Sequence, residues 1–258
     1  MNGIKYKLKV IECDTYESLS KNAAMMIVQQ IAEKPDSVLG LSTGGTPVGM
    51  YKELIKLYRS NQVNFEKVRT FNLDEYVGLD RYHPQSYHQY MYQHLFKHVN
   101  LPENQRFIPL GDMDLIESEV NDYEEKILKN GGIDLQILGI GENGHIGFNE
   151  PFTPFNQSVH TVKLAESTRR ANAKYFSSIE EVPRIAITMG IDTIMRSQKI
   201  VLLISGNRKK EAFQKLMSSH ISEEFPASIL RLHRDVTVIV DQDALFESSN
   251  QRQSSLLK

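Results

Sequence analysis

The chain has 258 residues, 40% of them hydrophobic, which suits one large α/β domain with a sizeable core and fits neither a fibre nor a disordered chain. Its 30 basic and 32 acidic side chains leave a formal charge of -2, so no global field recruits nucleic acid or membrane, and an anionic ligand has to be held by a local cluster. A single cysteine, Cys13, rules out an internal disulfide and a cysteine-based metal site, and no apolar run reaches signal-peptide or membrane-spanning length, so a cytoplasmic protein is expected.

A short strand over 8–11 opens the chain, and Asp14 with Glu17 three residues on is expected to cap a helix running to Glu33, before Pro35. A strand over 38–41, a loop over 42–46 and a helix with Thr46 as N-cap and Pro47 at its first position form a strand, glycine loop, helix unit. The strand over 68–73 leads directly into Asp74 and Glu75, and Ser86 is placed to cap a helix ending near His98. A helix over 115–129 stops at Asn130, Gly131 and Gly132. Leu135, Ile137, Leu138 and Ile140 make an apolar run too short for a helix, the mark of a parallel strand covered on both faces. Beyond it lie a helix over 166–176, a strand over 185–188, a short helix over 191–196 and an apolar strand over 199–204. Gly206 then leads into a helix carrying Lys209 and Lys210, and the last strand spans 236–240. Alternating strands and helices predict a single doubly wound, mainly parallel, Rossmann-like domain over 1–247, with a frayed polar tail over 248–258.

Three constellations carry chemistry. In GIGENGHIGFNEP, glycines free the backbone to turn past a strand end, where ligands bind in open α/β sheets; His145 stands there with Asn143 two residues before it and Glu150 five after it, an arrangement suited to proton transfer near neutral pH. In LSTGGTP, Gly44, Gly45 and Thr46 precede a helix, where bare N–H groups and the helix dipole favour a phosphate, although neither the P-loop nor the dinucleotide fingerprint is present. Asp74, first after its strand, is a candidate base; the alternative is a turn or helix cap, and Glu75 is its rival although its side chain should point to the opposite face. Arg169, Lys174, Lys209 and Lys210 are the basic residues able to meet a phosphate docked on the glycine loop.

The segments LSTGGTP, FNLDEYVGL, HPQSYH, GIGENGHIGFNEP, ANAKYF and PASILRLH, in this order over about residues 7–245, closely resemble the glucosamine-6-phosphate deaminase family. The resemblance implies a hydrolase of amino sugar metabolism and N-acetylglucosamine catabolism that converts glucosamine 6-phosphate and water to fructose 6-phosphate and ammonia without metal or organic cofactor. It implies Asp74 as the base acting at C2 and His145 as the ring-opening residue, with Asn143 and Glu150 positioning it. Gly45, Thr46, Lys174 and Lys209 fall on phosphate-contact positions, and Tyr87 lies in a segment resembling the family's lid. The partner is then a small sugar phosphate, with a homo-oligomer possible. Some members carry aspartate where this chain has Asn143, so a carboxylate–histidine–carboxylate relay is not implied.

Two rival readings share the architecture: a sugar-lactone hydrolase or sugar-phosphate isomerase, against which DEYVG argues, and a sugar-phosphate sensor, against which the absence of a basic helix-turn-helix before the first strand argues. Members activated by an N-acetylated sugar phosphate carry arginine and lysine where this chain has His160 and Val162, with Lys163 facing the other way, so no such activation is expected.

Overall fold

The computed structural model describes residues 8–218 and 220–245. The expected tail over 248–258 lies outside them. Ten strands are present among the described residues: β1 (Lys9–Cys13), β2 (Val38–Leu41), β3 (Arg69–Asn72), β4 (Asp74–Tyr76), β5 (Arg106–Phe107), β6 (Leu135–Gly139), β7 (His160–Lys163), β8 (Ile185–Thr188), β9 (Lys199–Ile204) and β10 (Val236–Asp241). The helices are α1 (Tyr16–Glu33), α2 (Val48–Arg59), α3 (Tyr87–His94), α4 (Ile116–Lys129), α5 (Glu166–Asn172), α6 (Ile191–Met195) and α7 (Lys210–Ser218).

Seven strands form one all-parallel sheet in the order β1-β10-β9-β6-β2-β3-β5. Its central strands are buried on both faces, as their Val, Ile and Leu content requires. On one face, α1, α2 and α3 bury Leu19, Ala23, Ile27, Tyr51, Leu54 and Met91; on the other, α4, α6 and α7 bury Tyr123, Ile127, Ile194, Phe213 and Leu216. This is the doubly wound class expected. From β2 the chain runs outward through β3 to β5, and then returns to the other side of β2 as β6. The loops that follow β2 and β6 therefore leave neighbouring strands in opposite directions, the switch point at which such sheets open a crevice.

A second sheet was not foreseen. β4, β8 and β7 form a small antiparallel layer, with Asp74 opposite Thr188 and His160 on the other side of the same threonine. Hence the strand expected over 68–73 ends at Asn72, and the strand over 185–188 belongs to the small sheet rather than the large one. Its strands are only three or four residues long, and β7 alternates half-buried and exposed residues, so its pattern is weak against the apolar runs of the core.

Two expected helix starts are corrected. Thr15, not Asp14, is the N-cap of α1, and it forms a reciprocal capping box with Ser18. α2 begins at Val48 with Pro47 in the capping position and no side-chain cap of its own. The Tyr16 hydroxyl accepts from Gly49 N at 2.8 Å and donates to Thr46 O at 2.9 Å, so a tyrosine of α1 does the work expected of Thr46. Gly49 is needed there, since a Cβ would lie 2.2 Å from Ser20 Oγ. The Ser86 cap holds, with Gln89 N donating to it at 3.1 Å, but α3 ends at His94 and a separate 3-10 turn carries 96–98. Likewise α5 ends at Asn172, a 3-10 turn follows over 173–175, and Lys209 sits in a further 3-10 turn before α7.

Candidate active site

A cleft of about 770 Å³ opens at the carboxyl ends of the parallel strands, walled by the loops after β2, β6 and β9, by the start of β4 and by the end of α5. Gly44, Gly45 and Thr46 line it, as do Asp74, Tyr87, Asn143, His145, Lys174 and Lys209. Arg169 and Lys210 do not. Arg169 is buried and donates to the carbonyls of Ile179 and Val182, which fastens α5 to the chain that follows it.

The loops after β2 and β9 flank the loop after β6 in the cleft. Gly44 has φ +95°, a conformation open to glycine, and the Tyr90 hydroxyl donates to its carbonyl at 2.6 Å, which fixes the turn. Across from it, Ser205 and Gly206 follow β9. The buried Asp241 carboxylate accepts from Gly206 N at 3.1 Å and from the Ser205 hydroxyl, so the last strand holds the loop that presents Lys209. Burial pushes the Lys209 ammonium below its ordinary pKa, and the nearby Glu142 offsets this only in part.

Between the loops after β2 and β9, the loop after β6 carries titratable groups. The imidazole of His145 lies against the backbone at Gly141, where a Cβ would come within 2.3 Å of the ring. Its Nδ1 stands 3.6 Å from Glu150 Oε2, a charge contact longer than a hydrogen bond. Glu150 does not itself line the cleft. Asn143 Nδ2 donates to its Oε2 at 2.7 Å and the Thr168 hydroxyl donates to its Oε1, while Asn143 Oδ1 accepts from His145 N at 3.2 Å. Burial works against the charged form of Glu150, but His145, Thr168 and Asn143 outweigh it and hold the carboxyl at about 2. Glu150 is thus held as an anion beside the His145 ring.

Asp74 differs. It is buried at the start of β4 and beside the same turn, for a Cβ on Gly147 would lie 3.6 Å from its Oδ2. Burial first, and the neighbouring Glu75 second, push its carboxyl up to about 8. Glu75 points the opposite way, as the alternation along a strand requires, and its carboxylate accepts from Tyr87 N at 2.9 Å and His88 N at 3.0 Å. The cap weighed for Asp74 is therefore made by Glu75.

The sequence reading missed Tyr16, Thr168, Ser205 and Arg208, all of which line the cleft. Ser205 was within reach, because it follows a strand that the sequence marks clearly. Thr168 and Tyr16 act across the fold, and nothing in their own neighbourhood announces it. Among the described residues no group of three or more His, Cys, Asp or Glu is placed to hold a metal ion, and no helix is long and apolar enough to cross a membrane.

Comparison with known proteins gives a consistent result. A family model described as glucosamine-6-phosphate isomerases/6-phosphogluconolactonase matches residues 12–239. A glucosamine-6-phosphate deaminase of Clostridium botulinum (strain Loch Maree / Type A3) is 56% identical over 237 residues, covering 92% of this chain and 97% of that one. The deaminase of Bacillus pumilus is 54% identical over 237 residues, with 92% and 98% covered. A solved structure described as a monomeric glucosamine-6-phosphate deaminase superposes with a TM-score of 0.91 at 52% identity, covering 92% of this chain and 98% of that one. The 6-phosphogluconolactonase of Leishmania guyanensis shares the fold at a TM-score of 0.72 and 22% identity, with 93% and 98% covered.

Proposed function

The chain belongs to the family of glucosamine-6-phosphate isomerases and 6-phosphogluconolactonases, and from that premise we propose that it is a glucosamine-6-phosphate deaminase. The observation that carries the reading is the grouping in one cleft of the buried carboxylate Asp74, of His145 braced from behind by Glu150, and of the Gly44 to Thr46 loop with Lys174 and Lys209.

The sugar phosphate anchors through its phosphate on the Gly44 to Thr46 backbone, Lys174 and Lys209, remote from the reacting carbons, so that binding energy orients C1 and C2. His145 takes the proton of the C1 hydroxyl and returns it to the ring oxygen, which breaks the C1–O bond of the ring and leaves the open aldehyde. Its imidazolium form is steadied by Glu150 while the proton is in transit. Asp74 then removes the proton from C2; as O1 takes up a proton, the C1–C2 double bond of an enolamine forms. Return of a proton to C1 gives the imine at C2, and water replaces its nitrogen to release ammonia and fructose 6-phosphate. Water enters overall, the sense in which the reaction is a hydrolysis, yet its central step is an aldose–ketose isomerisation. A base with a pKa near 8 has the strength that a weakly acidic C–H next to a latent carbonyl calls for. The proposed setting is the cytoplasm, in amino sugar catabolism.

Ammonia release from glucosamine 6-phosphate tests this directly. Release with no added metal, undiminished by a chelator, is expected. Hydrolysis of a sugar lactone with no ammonia formed from the amino sugar would give the chain to the other branch of its family, which the distant structural likeness leaves as the second reading.

A further inference from the structure

β4 carries two consecutive buried carboxylates, Asp74 facing the cleft and Glu75 facing the start of α3. Glu75 is 1% exposed, and four donors converge on it: Tyr76 N at 2.8 Å, Tyr87 N at 2.9 Å, His88 N at 3.0 Å and His88 Nδ1 at 3.0 Å. Ser86 caps the next amide of the helix, Gln89 N, so Glu75 and Ser86 divide the first turn between them. The first residue of that turn is Tyr87, whose ring stacks on Phe148 at 6.2 Å between centroids and forms a wall of the cleft.

Capping by itself does not need a charge. A neutral acceptor such as Ser or Asn satisfies N-terminal amides about as well, and burying a second carboxylate beside the first is costly unless it is fully hydrogen-bonded. Here it is fully hydrogen-bonded, and it sits one residue from the proposed base. The other titratable groups around Asp74 are tyrosines on four elements, Tyr51 of α2, Tyr76 of β4, Tyr87 of α3 and Tyr123 of α4, each pushed up by burial and neutral through the working range. Facing Glu75 itself are His88 and the backbone of the 111 loop, where a Cβ on Gly111 would lie 3.5 Å from Glu75 Cγ.

We propose that Glu75 is a positioning residue with two roles: its carboxylate pins the first turn of α3, and Tyr87 with it, to the cleft wall, and its fixed negative charge keeps the adjoining Asp74 a strong base. The second role rests on the deaminase reading, because it matters only if Asp74 removes a proton.

Glu75→Gln removes the charge and keeps one of the two acceptor oxygens, enough for Tyr76 N and Tyr87 N, while its NH2 group takes the place of the oxygen that faces His88. In the pH profile of kcat/KM for ammonia release, the ascending limb is expected to move down by about one pH unit in this variant, with kcat falling above the limb and KM nearly unchanged. Infrared difference spectra of Asp74, taken for wild type against Asp74→Asn and for the Glu75→Gln pair likewise, should show the same downward movement of the carboxyl midpoint. Glu75→Leu removes the cap as well, and faster hydrogen exchange at Tyr87 and His88 with a raised KM is expected. If Glu75→Leu does not fold, Glu75→Gln decides alone. An Asp74 midpoint unmoved in folded Glu75→Gln overturns the electrostatic role, and unchanged exchange in folded Glu75→Leu overturns the pinning role. If wild type releases no ammonia, the deaminase reading fails, and the infrared midpoint still tests the effect of Glu75 on its neighbour.

Discussion

Asp74 lines the cleft and Glu150 stands behind His145, which lines it too; both are carboxylates, yet their surroundings drive them apart. Glu150 sits in a polar pocket with Asn143, Thr168 and His145 around it, and its carboxyl is held at about 2. Asp74 is buried in the cleft wall with a second carboxylate next to it, and its carboxyl rises to about 8. Burial acts on both in the same direction; donors decide the difference. A carboxylate given partners is held as a fixed anion, as the proposed orienting role of Glu150 requires, whereas one denied them has its pKa raised, as the proposed role of Asp74 as base requires.

Removing the deprived carboxylate should have the largest effect. Asp74→Asn is expected to lower deamination by about 100-fold or more while sugar-phosphate binding survives, as turnover and equilibrium binding measured side by side will show. The same change should stabilise the fold. A folded pKa of about 8, above the ordinary 3.8, means that the wild type is fully stable below about 4 and loses stability as pH rises through about 8. The variant should therefore outlast the wild type by about 1–3 kcal/mol at pH 9 and lose that lead at pH 4, as denaturant melts at the two pH values will test.

Glu150→Gln should cost less, about 10-fold in kcat, because it acts through His145 and the amide keeps an acceptor for Thr168. Its stability signature has the opposite sign. A folded pKa of about 2, below the ordinary 4.5, gives the wild type an advantage above about 4.5 that disappears as pH falls through about 2. Parallel pH-dependent melts of the two variants would break the comparison if their curves moved the same way.

The smallest effect is expected from N-acetylglucosamine 6-phosphate, which should leave turnover unchanged and substrate saturation hyperbolic. His160 is half-buried, burial pushes its pKa down, and its Nδ1 is occupied by Ser158 O at 2.9 Å; Val162 packs its side chain with Tyr76 and Phe148. Neither supplies the charged donors that a phosphate dianion requires. A sigmoidal curve made hyperbolic by the effector would show that a second site exists and overturn this reading of residues 160 to 163.

What sequence could reveal follows the same division. The parallel sheet was legible because Val, Ile and Leu runs of four to six residues have no other use than burial, and the two glycine turns were legible because each follows such a run. Asp74 was legible as first after its strand, but its raised pKa was not, since that comes first from a burial that only the fold creates and second from Glu75 beside it. The small sheet escaped because β4 is three residues long and pairs with a strand more than a hundred residues away. Tyr16 escaped for a similar reason, its hydroxyl reaching from α1 to the start of α2.

The strand order has a consequence for how the chain is made. β1 has β10 as its neighbour, and the turn bearing His145 is closed by the far end of the chain: Ala227 N donates to Gly144 O at 2.9 Å, and the Phe225 ring occupies the space that a Cβ on Gly144 would take. Every proposed catalytic and phosphate-binding group has been synthesised by residue 209, yet the first strand still waits for its partner and β9 still presents an open edge. Synthesis at about 5–20 residues per second keeps that edge bare for a few seconds. A message broken between codons 210 and 235 would thus yield a polypeptide with its full set of chemical groups and an unpaired apolar strand, a product suited to aggregation rather than turnover.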